Sequence, residues 1–197
     1  EKGGAKVDAG SCYLIAINVA GFLFYVVNMF LYTYTKDGQI DILLTIVALL
    51  GGALGIVLAI LIVNRKAQKE NMMSRVFVIC VLVVQIVLFL LFGREREQAL
   101  TFDFGNFFAA NKPIIIYLAI INIATFISFA LDKYNAVTHR PRIRIVTLLV
   151  LAFLGGSIGG LLAMWLFRHK IKKDYFAIGL PMILIMQVIL VFYIMNL

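Results

Sequence analysis

Asp132-Lys133, then Arg140, Arg142 and Arg144, then Arg168-His169-Lys170 with Lys172 and Lys173, set one acid among a crowd of cations. Arginine presents a planar fork suited to carboxylate or phosphate, and Asp132 is placed to orient such a partner. Two readings of these residues stand side by side. In one, the cations complement helix C-termini and bind lipid headgroups. In the other, Asp132, Lys133, Arg142, Arg144, Arg168, His169, Lys170 and Lys173 line a site for an anion or phosphate. Two amides, Asn18 and Asn122, lie deep in apolar runs, where a polar group needs partners. They are expected either to join helices by hydrogen bonds or to face a ligand. Gln85 and Gln187 repeat the theme more weakly.

No catalytic residue stands out. His169 has no nucleophile near it in sequence, and His139 is isolated. No His, Cys and carboxylate cluster suits zinc, and no glycine loop ends in the Lys-Ser or Lys-Thr that cradles phosphate. No metal and no cofactor is expected, and the balance falls against an enzyme. Cys12 and Cys80 form no redox or metal spacing.

The elements that carry these residues are apolar. The chain has 197 residues, 63% hydrophobic and 14% charged, with a mean hydropathy of +1.01. A soluble domain carries about a quarter charged residues, so the reading is an all-α, polytopic integral membrane protein. Its net charge is +8. Because the cations sit at the ends of apolar runs, anionic headgroups are expected as their counter-charge, and nucleic acid is not. The chain begins Glu-Lys-Gly-Gly without Met, as a processed product would. Its first apolar run is too long for a signal peptide.

Six segments have the roughly 20 apolar residues that a membrane crossing needs: Cys12–Tyr34, Ile42–Val63, Val76–Phe92, Pro113–Leu131, Ile145–Phe167 and Tyr175–Asn196. An offset of 104 residues pairs Tyr13 with Tyr117, Asn18 with Asn122 and Gly51-Gly52 with Gly155-Gly156. It also pairs Gly55 with Gly159, Lys66 with Lys170 and Lys69 with Lys173. Two three-helix repeats are therefore expected, at 1–92 and 113–197, joined by an interfacial connector at 93–112. The connector's Phe102, Phe104, Phe107 and Phe108 are expected to dip into the interface.

Three crossings per copy would invert the second copy, an arrangement common in transporters. Six straight spans divide the Lys and Arg residues 10 to 8 between the two sides. If the Gly-rich second and fifth segments instead dip in and return, the division becomes 13 to 5, which the positive-inside rule prefers. Length favours the straight crossing, which is the leading expectation. The re-entrant hairpin is the alternative. Gly51, Gly52, Gly55, Gly155, Gly156, Gly159 and Gly160 are expected to pack helices closely, since lipid leaves association to backbone approach.

The second half also carries "YLAIINIATFISFALDKYNAV", "RIRIVTLLVLAFLGGSIGG" and "FRHKIKKDYFAIGLP". With these, roughly Ile114–Leu197 resembles a bacterial membrane family known as domain of unknown function 1294. The resemblance implies a small, multi-pass domain of the bacterial cytoplasmic membrane, sometimes fused to a cold-shock domain, and no assigned activity. Members usually hold one copy. The copy in front is degenerate: it lacks Asp-Lys and Phe-Arg-His. Members also tend to have Pro-Glu after Arg-Ile, where this chain has Arg144 and Ile145. The matching positions of the first copy are Ile40 and Asp41, so an acidic role has moved to Asp41 or been lost.

The leading functional expectation is a transporter or channel-like protein for a small solute, anions among the candidates. The alternative is a non-enzymatic scaffold or subunit that holds anionic lipid, another membrane protein or a second copy of itself.

Overall fold

The computed structural model describes residues 9–34, 41–64, 71–93 and 100–197. Lys66 and Lys69, two residues matched in the repeat, lie outside these, as do Ile40 and positions 94–99 of the connector. The described residues are helical, with no strand among them. Six stretches are long and apolar enough to cross a membrane: Ala9–Leu31, Ile42–Val63, Met72–Phe92, Lys112–Val137, Ile145–Leu166 and Asp174–Met195. The chain forms two compact units, divided between Gln85 and Ile86.

In the first unit, α1 (Ala9–Tyr34) is a single helix of 26 residues. α2 (Asp41–Val47) and α3 (Ala53–Val63) are separated by a π-type turn at Ala48–Gly52. Gly51 sits there at φ 114°, ψ 0°, a conformation that side-chain-bearing residues rarely adopt. α4 (Met72–Phe92) follows. Both arms of the broken segment lie against α1. A Cβ on Gly21 would meet Gly52 O at 2.7 Å, Ile56 of α3 at 3.2 Å and Val47 of α2 at 3.4 Å.

The boundary at Ile86 falls within α4, and beyond it the second unit continues with the short α5 (Phe104–Ala110), capped by Asp103, whose carboxylate accepts from the Asn106 N–H. Its lead-in residues are tied to the C-terminal helix. Asn196 Oδ1 accepts from Thr101 N at 2.8 Å, and the Phe102 and Phe104 rings lie 4.9 and 6.4 Å from Phe192. α6 (Lys112–Val137) is the long helix, with Pro113 in its first turn, where a missing N–H costs nothing. α7 (Ile145–Leu151) and α8 (Ser157–Leu166) flank a second π-type turn, Ala152–Gly156, with Gly155 at φ 115°, ψ −3°. α9 (Asp174–Ala177) and α10 (Gly179–Met195) complete the unit.

The fifth segment is not one straight helix but is broken at Gly155. Tyr117 bonds Leu154, Asn122 bonds Gly159, and Asp132 bonds His169, each pair 37 residues apart. A constant separation along fifteen residues means that α6 and α8 run in the same direction. The chain leaves the end of α6, so α7 must carry it back first, and Gly155 makes the reversal. The two ends of the segment accordingly meet: Ile143 N and His169 Nε2 both bond the Asp132 carboxylate. A straight helix over Ile145–Leu166 would hold its ends about 33 Å apart.

The glycines permit this hairpin by close approach as well as by reversal. A Cβ on Gly159 would stand 2.1 Å from Asn122 O, and one on Gly55 1.9 Å from Asn18 O. On Gly156 it would meet Thr125 Oγ1 at 1.9 Å, and on Gly52 it would meet Ile17 O at 2.8 Å. Gly160 faces Leu180 of α10 and Phe129 of α6. Gly51 and Gly155 have roomier surroundings, so their role is the positive φ.

Candidate functional site

Two polar arrangements emerge in the second unit, one at the tip of the hairpin and one at its feet. At the tip, the reversal strips backbone carbonyls of their helical partners. Unsatisfied, each would be costly in an apolar medium. Side chains from α6 and α10 replace the lost bonds. Gln187 Nε2 donates to Ala152 O at 2.6 Å and Phe153 O at 3.2 Å. The Tyr117 hydroxyl donates to Leu154 O at 2.5 Å. Asn122 Nδ2 donates to Gly155 O at 2.9 Å, and its Oδ1 accepts from Gly159 N at 2.7 Å. Buried Ser157 completes the set by bonding Gln187 Oε1.

The first unit repeats the tyrosine, asparagine and glutamine bonds, on backbone groups 104 residues earlier, with Gln85 standing 102 residues before Gln187. Tyr13 OH donates to Leu50 O at 2.7 Å, and Asn18 Oδ1 accepts from Gly55 N at 2.8 Å. Gln85 Nε2 donates to Ala48 O at 2.6 Å and Leu49 O at 3.3 Å. Asn18 and Asn122 thus spend their amides on the backbone of a broken helix. Sequence reasoning noticed the matched tyrosines and glutamines without seeing that they cap a break. The signal was the pairing of each with a Gly-Gly turn in a neighbouring segment, the next one for the tyrosines and the preceding one for the glutamines.

At the feet, Asp132 is fully buried. Its Oδ1 accepts from Ile143 N at 3.1 Å, in the lead-in to α7. Its Oδ2 accepts from Lys170 Nζ at 2.7 Å and His169 Nε2 at 2.8 Å, in the loop after α8. With an ammonium on the same oxygen, the imidazole nitrogen facing the carboxylate is the protonated one. Lys170 Nζ also lies 4.6 Å from the Phe176 ring centroid and 5.9 Å from that of Phe129, within cation–π range. Burial draws the Lys170 ammonium below the ordinary lysine range. The hydrogen bond and charge of Asp132 oppose that, and the Arg142 charge adds to the lowering.

The loop that presents His169 and Lys170 is tightly wound. Arg168 and Lys170 take φ values of 45° and 62°, and His139 in the facing loop takes 56°, uncommon for residues with side chains. His169 N bonds Met164 O, and Lys173 N bonds Lys170 O. The α6–α7 loop is closed by Arg140 N on Asn135 O at 2.9 Å and Asn135 Nδ2 on Pro141 O at 3.2 Å.

Of the residues singled out by sequence, Asp132, His169 and Lys170 therefore meet directly, with Arg142 near enough for its charge to act on Lys170. Arg144, Arg168 and Lys173 are exposed, and Lys133 is half-buried outside the bonds of Asp132. In the first unit, Asn28 occupies the position matching Asp132. It lines a cavity of about 240 Å³ with Tyr25, Leu44, Thr45, Ile56 and Phe77, among others. Asp41 opens α2. Among the described residues no group of three His, Cys, Asp or Glu side chains could hold a metal.

Residues 122–176 match the family model described as protein of unknown function, DUF1294. The matched stretch runs from the amide that caps the hairpin tip to Phe176 beside Lys170, so it contains the hairpin and its feet together. The chain is also similar to YsdA, an uncharacterized protein of Bacillus subtilis (strain 168). The two are 37% identical over 78 residues, which make up 40% of this chain and 88% of that protein. No solved structure matches.

Proposed function

The chain belongs to the DUF1294 family, described only as proteins of unknown function, and from that membership we propose that it is a non-enzymatic membrane module that binds the phosphate-bearing headgroups of anionic lipids through its second unit. One observation carries the reading. Asp132 gathers the α6–α7 loop and the loop after α8 at one end of the unit. One carboxylate faces two inward groups there, while Arg140, Arg142, Arg144, Arg168, Lys172 and Lys173 remain exposed around it. Each basic residue close to an anionic surface is worth about 1 kcal/mol. The similarity to a relative little longer than 78 residues supports a function housed in one unit.

We propose further that the chain is a tandem pair of such units, the first of them degenerate, in the cytoplasmic membrane of a bacterium. The recurrence of the tyrosine and asparagine tip hydrogen bonds at an interval of 104 residues supports the duplication. Asn28 in place of Asp132 and Asn64 in place of Arg168 support the degeneration. A second membrane subunit or a second copy of the chain is a further proposed partner.

The test is thermal stability in detergent micelles with added phosphatidylglycerol or phosphatidylcholine. The expected result is a Tm raised by the anionic lipid and not by the zwitterionic one. The rise is expected to be lost in the triple variant Arg142→Ala, Arg144→Ala, Arg168→Ala. Equal response to both lipids, or an unchanged response in the variant, would overturn the reading.

Transport of a small, anionic solute is the second reading. The paired interruptions at Gly51 and Gly155 favour it, because glycine-broken segments at corresponding positions mark substrate sites in many transporters. Chloride or phosphate flux into liposomes bearing the protein, absent from empty liposomes, is its expected signature.

A further inference from the structure

We infer that Ile145–Leu166 is a re-entrant hairpin, which enters and leaves the membrane on one side. Three observations carry this. The parallel register of α6 and α8, constant at 37 residues over Tyr117 to Asp132, requires α7 to run back toward the start of α6. The tip lies beside Tyr117 and Leu118, whereas the feet lie beside Asp132. The distance between those levels on α6 is fifteen residues, about 22 Å at the helical rise. A hydrocarbon core is about 30 Å thick, so the hairpin ends inside it. Irregular backbone at that depth is tolerated only where protein satisfies it, and Gln187, Tyr117 and Asn122 do so bond by bond.

The feet are the polar end of the same device. Arg140, Arg142 and Arg144 precede the hairpin, and Arg168, Lys172 and Lys173 follow it. With the hairpin re-entrant, both groups face one aqueous compartment, and the positive-inside rule makes it the cytoplasm. Asp132 acts as a clamp that holds the two feet together through one carboxylate. The hairpin of the first unit, Ile42–Val63, has the same form. Val47 of α2 and Ile56 of α3 both lie against Gly21 of α1, and Asn64 at the end of α3 donates to the Tyr25 hydroxyl at 3.1 Å. The inverted arrangement expected from three crossings per copy loses its premise when only two of the three segments cross.

This inference is independent of what the basic loops bind, and its experiment uses no lipid ligand. Thr138→Cys and Ile171→Cys are introduced singly into the full chain after Cys12→Ser and Cys80→Ala, with Ala110→Cys as the reference at the other end of α6. Each variant is labelled by a membrane-impermeant maleimide in right-side-out and in inside-out vesicles. Positions 138 and 171 are expected to label in the same vesicle orientation and to lose labelling together in the other, with position 110 behaving oppositely. His139→Cys and Lys172→Cys repeat the measurement where the first pair does not assemble. Labelling of 171 or 172 together with 110 would overturn the hairpin and restore the straight crossing, whatever the lipid-binding experiment returns.

Discussion

At the scale of single residues, Asp132 does the most structural work, because among the described residues it is the buried carboxylate, and it faces two basic groups and an amide from separate loops. Removing one partner of a buried ion pair leaves an uncompensated charge and costs about 3–5 kcal/mol. Asp132→Ala is therefore expected to lower the Tm in micelles far more than Asp174→Ala, whose side chain is exposed. Lys170 gives a pH test. Its ammonium is lowered from the ordinary lysine value of 10.5, so between the lowered value and 10.5 the unfolded chain holds a proton that the folded chain has released. Stability from this group thus rises with pH across that window. Lys170→Met, compared with the wild type from pH 8 to 11, is expected to lose that rise. The sequence marked Asp132, His169 and Lys170 by type alone, since an acid and cations at apolar boundaries are conspicuous. It did not reveal that they touch, because 37 residues separate the partners and a broken helix lies between them.

At the scale of elements, the hairpin depends on one reversal and one seam. Gly155→Ala forces a side-chain-bearing residue to φ 115°, at a cost on the order of 1–3 kcal/mol. Gly159→Ala would place a Cβ 2.1 Å from the Asn122 carbonyl, a backbone obstacle that cannot rotate away. It is expected to destabilise by about 1–3 kcal/mol, whereas Gly105→Ala, with its nearest neighbour at 3.7 Å, is expected to leave the Tm unchanged. Gln187→Leu strips two carbonyls of their donor; hydrogen bonds in membranes average about 0.6 kcal/mol, so a smaller loss is expected, read by urea or heat titration of the same micelles. Glycine spacing was legible as close packing, and Gly159 packs so. The separate role of Gly155 as the point of reversal was not legible, because one left-handed residue inside an apolar run leaves no mark on hydropathy.

At the scale of the whole molecule, the compact unit Ile86–Leu197 contains the hairpin, its caps and its clamp. A fragment of residues 100–197 is expected to insert and melt cooperatively by circular dichroism, as the size of its relative suggests; a fragment without a melting transition would count against a self-sufficient unit. By itself the sequence determined that the protein resides in a membrane, that its elements are helices, and that its cations gather at the ends of apolar runs. Those properties are sums over local composition and need no partner. Only the tertiary structure decided that a segment of spanning length folds back, and so which loops share an end. A reversal of chain direction turns on the φ of one glycine and on donors supplied by distant helices, and neither enters a sum taken along the chain.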